Sequence, residues 1–386
     1  MHIDCLTPVD DVLLAQAKMQ VNQPLGQRIK INTLSEGFPD LSEVKIVIVG
    51  VREDRATEGN DGTGQCLDEI RRELYKLYPG NWPVQVADLG DIQQGSTIED
   101  TYFALRELLV FLIKKNLIPV VIGGGQDLTY PNYRAYDQLE QTVNLVAIDN
   151  QFNIGTIEEA LSSRSYLSKI IMNKPNNLFN YSNIGYQTYF NSQEEIDLLE
   201  SLFFEAYRLG AVKNDLQLVE PVLRDADIVS LNLSSVKKAD APANNNATPN
   251  GFNGAEICAI ARYAGISDKV SSFGIYEYNH RLDDRNQTAQ LVSQIIWYFI
   301  EGVNYRAHDY PFGLKNHYKK YIVPIENQVL NFHKSHKTGR WWMEIDLGEG
   351  NKFKRHALVP CTYEDYTNAC NHEIPDRWVR TLKKLA

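Results

Sequence analysis

The run IPVVIGGGQD, from Ile118 to Asp127, sets a short apolar stretch against three glycines and a polar end. The same form recurs in NLVAIDNQFN (Asn144 to Asn153) and in DIVSLNLSS (Asp227 to Ser235). A continuous apolar run of this length, stopped by small and polar residues, is a strand buried on both faces. Lys45 to Val51 (KIVIVGV), Val84 to Asp88, Tyr181 to Tyr186 and Val270 to Tyr276 read the same way. Helical patterns separate them. Ile98 to Lys115 repeats Tyr102, Leu105, Leu108, Leu109 and Leu112 at helical spacing, and Glu194 to Leu209, Gly254 to Ala264 and Asn286 to Glu301 read as further helices. This alternation predicts an α/β fold, a three-layer α/β/α arrangement with a mostly parallel central sheet. Ligands of such sheets bind beyond the carboxyl ends of the strands, where the polar segments fall.

The chain has 386 residues, and its 43% hydrophobic content is ample for a sizeable core. It divides into an N-terminal extension packing on the core (1–43), the α/β domain (44–303) and a C-terminal appendage (304–386). The start of the sequence lacks a basic stretch followed by an apolar one, so no signal peptide is expected. No uncharged apolar run approaches the roughly 18–20 residues that span a bilayer. Cys5, Cys66, Cys258, Cys361 and Cys370 are scattered and lack a CxxC pair. That favours free thiols in a reducing compartment over a disulfide framework or a zinc site, and a cytoplasmic location is expected.

The net charge of −10 is uneven. From Tyr305 onward there are 14 Lys plus Arg against 9 Asp plus Glu, which leaves the rest of the chain strongly acidic. In this tail, aromatics interleave with basic residues (Tyr318 to Tyr321, Arg340 to Trp342), and Asp376 to Lys384 reads as a helix with Trp378 and Leu382 on one face. Such a tail is a solvated face, or it docks on its own core, a neighbouring subunit or an acidic partner. The acidic balance of the whole opposes nucleic-acid phosphates.

Several chemistries are excluded by residue type. After His2 no histidine occurs until His280, so the core offers no Ser-His-Asp or Cys-His set. The Gly123 to Gly125 turn is followed by no GKS or GKT, which argues against a phosphate loop. Asp127 is expected to cap the next helix or bond its backbone. Asn244 to Asn246, bounded by Pro242 and Pro249, reads as a surface turn.

GGGQD (Gly123 to Asp127), IDNQFN (Ile148 to Asn153) and SLNLS (Ser230 to Ser234) resemble the GGGHD, DAHxD and SxDxD motifs of the arginase, agmatinase and formiminoglutamase (ureohydrolase) family. NIGYQTYF (Asn183 to Phe190) and FGIYEYNHRLDDRNQTAQL (Phe273 to Leu291) resemble later segments of the same family, and Glu277 matches its substrate-facing glutamate. The resemblance covers residues 44–303 and implies an arginase-like fold. It also implies two Mn²⁺ ions activating a hydroxide against a guanidinium or formimino carbon. The six ligand places hold Gln126, Asp149, Gln151, Asn153, Asn232 and Ser234, and only Asp149 keeps the family's ligand. Alternation along a strand explains the spacing of Asp149, Gln151 and Asn153, since every second residue faces one side.

Two divalent cations bring four positive charges, and these places offer one carboxylate. Amide oxygens replace carboxylates poorly at manganese, so no metal cofactor is expected. The sequence therefore predicts a catalytically inactive pseudoenzyme that acts through ligand or protein binding. Its ligand would be a small guanidino or amine compound. The resemblance further implies a homo-oligomer, and the basic, aromatic appendage suggests contact with a protein partner. The alternative is a hydrolase of a C–N bond with an altered or metal-independent site, using Asp149 and Glu277 as an acid/base pair.

Overall fold

The computed structural model describes residues 5–19, 24–139, 141–156, 158–310, 317–325, 328–346 and 356–385. The core strands are β1 (Leu6–Thr7), β2 (Lys30–Ile31), β3 (Val44–Val51), β4 (Gln85–Ile92), β5 (Ile118–Ile122), β6 (Val143–Ile148), β7 (Leu178–Tyr186), β8 (Glu205–Arg208), β9 (Ile228–Asn232) and β10 (Ser272–Tyr276). They form one sheet in the order β1-β4-β3-β5-β10-β9-β6-β7-β8, with β2 beside β4. Only the β1–β4 pairing is antiparallel.

The apolar runs are continuous because both faces are covered. Ile46 and Ile48 point into one core layer, while Val47, Val49 and Val51 point into the other. The first layer is closed by helices Asp68–Lys76, Gly254–Ile266 and Gln287–Asn304. The second is closed by Ile98–Lys114 and Tyr166–Met172. Helix starts are fixed locally: Thr97 with Asp100, Ser192 with Glu195 and Asn253 with Glu256 each form a reciprocal capping box.

Three local expectations change. The helix expected over Glu194 to Leu209 spans Gln193–Ser201; the chain then turns at Phe203, where φ is +57°, and enters β8. Pairing with β7 decides this, and nothing in the local pattern announces it. The strand expected over Val84 to Asp88 runs on to Ile92. Its buried Asp88 and Asp91 are neutralised by the fully buried Arg71, at 2.9 and 2.7 Å. Within residues 1–43, β1 and β2 add themselves to the sheet edge as well as packing on it.

The tail forms a second, antiparallel sheet from β11 (Tyr318–Ile325), β12 (Gln328–Ser335), β13 (Trp341–Glu344) and β14 (Leu358–Cys361). Leu330, Phe332, Trp341, Met343 and Val359 build its own core, against which Trp378 of helix Asp376–Leu385 packs. It docks on its own α/β core. Arg224 donates to the carbonyls of Trp341 and Cys361 at 3.1 and 3.0 Å, and its guanidinium lies 4.6 Å over the Trp342 ring. Arg377 pairs with the buried Glu205 at 3.0 Å, and His356 stacks on Phe179 and bonds Thr142.

These contacts all meet the amino ends of β6, β7, β8 and β9. In a parallel sheet that is the end opposite the ligand crevice. None of the described tail residues lines the pocket described below. The tail histidines therefore do not supply it with imidazoles; His333, for example, bonds Glu344 within the appendage. Among the described residues, no helix is long and apolar enough to cross a membrane.

Candidate functional site

Four neighbouring strands, β5, β10, β9 and β6, deliver the singled-out residues to one edge of the sheet. Gln126 lies just beyond β5, and Asp149, Gln151 and Asn153 follow β6. Asn232 closes β9, with Ser234 two residues on, and Glu277 follows β10. Gly123 and Gly124 take positive φ (+85° and +75°), which lets the chain turn back so that the Gly124 carbonyl accepts from the Glu277 N–H at 2.9 Å. Glu277 is itself held at φ +72°, a conformation costly for a residue with a Cβ and typical of constrained sites.

Asp149 is the hub. Its Oδ2 accepts from the side-chain amides of Asn153 and Asn232 at 2.7 and 2.9 Å. Its Oδ1 accepts from the Ser234 hydroxyl at 3.0 Å and the Gln151 N–H at 3.3 Å. Three of the other expected ligand places thus donate side-chain hydrogen bonds to the one carboxylate, and Gln151 donates its backbone N–H. Gln126 turns elsewhere: its amide nitrogen donates to the Ser230 hydroxyl at 2.8 Å, and it is fully buried. Gln151 lines the pocket.

Glu277 lies beside this hub. Its Oε2 accepts from the Asn60 amide at 2.8 Å and its Oε1 from the Gln126 N–H at 2.9 Å. Burial pushes Asp149 up to about 6, against the pull of its Asn232, Ser234 and Asn153 donors. Burial pushes Glu277 up to about 8; Asn60 and Gln126 oppose this, and the nearby Asp127 and Asp149 add to it. Asp127 does not cap a helix through its side chain. It accepts from the Tyr102 hydroxyl at 2.6 Å and is raised by burial to about 7.

Around these carboxyls is a cavity of about 280 Å³, lined also by Ser163, Arg164, Phe190, Asn246 and Thr248. Asp149 and Glu277 form its buried floor, and the exposed Arg164 stands at its mouth, donating to Asn246 at 3.2 Å. The Asn244 to Asn246 segment is therefore more than a surface turn. Asn244 is fully buried and Asn246 is a wall of the pocket. Sequence reading missed Asn60, Arg164 and Asn246, because each lies on a loop with no periodic pattern. Only their polar type in a loop near a strand end could have drawn notice.

The profile of the arginase family matches residues 44–301, more than half of the chain. The chain belongs to the arginase family. It is similar to the formimidoylglutamase of Geobacillus sp. (strain WCH70), at 24% identity over 252 residues, 62% of this chain and 77% of the relative. It is also similar to that of Staphylococcus haemolyticus, at 23% over 291 residues, 71% of this chain and 91% of the relative. A Trypanosoma cruzi formiminoglutamase solved with Mn²⁺ shares the fold with a TM-score of 0.65 at 18% identity, over 70% of this chain and 96% of that one. The Bacillus subtilis formimidoylglutamase gives 0.63 at 16%, over 70% and 90%.

The donor set does not fit the binuclear manganese centre that the family implies. Asp149 is the one carboxylate among the six places, and side-chain donors occupy both its oxygens. Rotating the Asn153 and Asn232 amides to offer their oxygens would add no charge, so four positive charges would face one negative one. Glu277 is already held by Asn60 and the Gln126 N–H.

Proposed function

We propose that this arginase-family, formiminoglutamase-like protein binds the cationic end of a small amidine or guanidino compound without a binuclear manganese centre, as a pseudoenzyme. The carrying observation is the Asp149 hub, in which former ligand places serve as hydrogen-bond donors. A hub of this kind holds one negative charge in place and fixes the pocket's shape. Asp149 and Glu277 on the floor suit an amidinium or guanidinium, and Arg164 at the mouth suits a carboxylate. A zwitterion such as N-formimidoyl-glutamate, the substrate that the name formimidoylglutamase of its relatives implies, has both ends.

After incubation with excess Mn²⁺ and desalting, the purified protein will carry well below one manganese per chain by plasma mass spectrometry. A content close to two would restore metal-dependent hydrolysis and end this reading.

Binding should depend on pH in a definite direction. Both floor carboxyls are raised, so their protons contribute stability that is fully present below the ordinary carboxylate range and is lost as pH rises through about 6 and about 8. A cation favours the ionised forms. Affinity for formamidinium, which stays cationic throughout, is expected to rise roughly tenfold or more between about pH 5.5 and 8.5. Glu277→Gln should flatten the upper half of that profile. Titration calorimetry reads both, and a flat wild-type profile would remove the carboxylate floor from the argument.

A second reading is favoured by the names of the relatives and by the two unequal carboxyls. Environments that push two acids apart are how acid/base pairs are made. Here Asp149, at about 6, would be the base and Glu277, at about 8, the acid of a metal-independent C–N hydrolase. Release of formamide from N-formimidoyl-glutamate, lost in both Asp149→Ala and Glu277→Ala, would establish it over the pseudoenzyme.

A further inference from the structure

A second cluster on the same rim of the sheet has the donor chemistry that the first lacks. Cys66, Glu69 and His280 each present one donor atom, and the three atoms lie within 4.8 Å of one another. They come from distant parts of the chain. Cys66 immediately precedes the N-cap of helix Asp68–Lys76, Glu69 lies in that helix's first turn, and His280 opens the turn His280–Leu282 beyond β10. We propose that Cys66, Glu69 and His280 form a mononuclear transition-metal site of the zinc class, separate from the emptied manganese position. The inference does not depend on what the pocket binds.

Three observations converge on it. The Nδ1 of His280 is inaccessible to solvent and has no hydrogen-bond partner among the described residues. A buried ring nitrogen without a partner is costly, and a metal would satisfy it. Arg72 and Asn286 both bond Oε2 of Glu69, the latter at 2.9 Å. That leaves Oε1 for a metal and supplies the outer hydrogen bonds that orient a ligating carboxylate. Cys66 is held at φ +55°, a left-handed conformation disfavoured by any residue but glycine.

The charge balance also closes. A thiolate and a carboxylate offset one divalent cation, and the mixed sulfur, nitrogen and oxygen set selects zinc or cobalt over manganese or magnesium. Donor atoms around tetrahedral zinc stand about 3.3–3.8 Å apart, so the cluster closes by a shift of about 1 Å. With one protein position open, the fourth ligand would be water or a substrate atom. The metal would also clamp two loops already joined by Asn60 to Glu277 and by Asn279 to the Asp61 carbonyl at 2.9 Å. It would thereby stiffen the backbone that carries Glu277.

Without metal, the same proximity is explained by an electrostatic interaction of Glu69 with His280, with Cys66 beside them. Titrating the full chain with Co²⁺, after chelator treatment and desalting under reducing conditions, separates the two. The expected result is one cobalt per chain with a thiolate-to-cobalt charge-transfer band in the near ultraviolet, abolished by added Zn²⁺. Cys66→Ser should lose the band, His280→Gln should weaken binding roughly tenfold or more, and Cys370→Ser should change nothing. Absence of the band in the wild-type protein would overturn the proposal whatever the variants do. So would its persistence in Cys66→Ser.

Discussion

Asp149→Ala is expected to lower stability by about 2–4 kcal/mol near neutral pH and to abolish binding of formamidinium. The cost arises because the substitution removes an acceptor and leaves its donors. The amides of Asn153 and Asn232, the Ser234 hydroxyl and the Gln151 N–H all end on this carboxylate. Each buried donor left without a partner costs about 1–3 kcal/mol, and water entering the vacated space recovers part of it. A second contribution runs the other way. Burial raises Asp149 to about 6, so its ionised form is itself disfavoured by the fold near neutral pH, and its removal relieves that. Asp149→Asn keeps one acceptor oxygen and should fall between wild type and alanine. Urea unfolding measures the stability and calorimetry the binding. A variant as stable as wild type would mean that the donors find other partners easily and that the hub is not the organising feature.

Arg377→Ala should be costlier still, at roughly 3–5 kcal/mol, although it lies far from the pocket. Glu205 is buried at the amino end of β8, and Arg377 reaches it from the appendage at 3.0 Å. Burial pulls the Glu205 carboxyl up, but Arg377 and Lys384 outweigh it and hold it below its ordinary value. Removing Arg377 strands a buried charge; the retained Lys384 keeps the loss toward the lower end of the range. Arg377→Met combined with Glu205→Gln removes both charges and should recover most of the loss. Thermal unfolding of the single and double variants tests this, and equal losses in both would show that packing, and not the ion pair, secures the appendage.

The sequence made the sheet legible because its signal is local. Ile46 to Val51 and Val143 to Ile148 are apolar at every position or nearly so, as strands covered on both faces must be. The positions that the resemblance matches to the family's ligands were found by motif likeness, each beyond a recognisable strand. Where pairing decided the outcome, local reading failed. The EAYR of β8 could extend a helix, and only its place beside β7 made it a strand.

By itself, then, the sequence determined the α/β architecture and the edge of the sheet at which a site must lie; its resemblance to the family matched Gln126, Gln151, Asn153, Asn232 and Ser234 to expected ligand positions. The first two follow from residue type and short-range period, the third from motif likeness. Tertiary structure alone decided how those residues behave: Asn153, Asn232 and Ser234 turn their donors onto Asp149, while Gln126 turns to Ser230. It also placed the basic tail at the far end of the sheet and brought His280 to Cys66 and Glu69. Such contacts join residues tens to hundreds of positions apart, and their geometry is fixed by the packing of the sheet, which no local window of sequence contains.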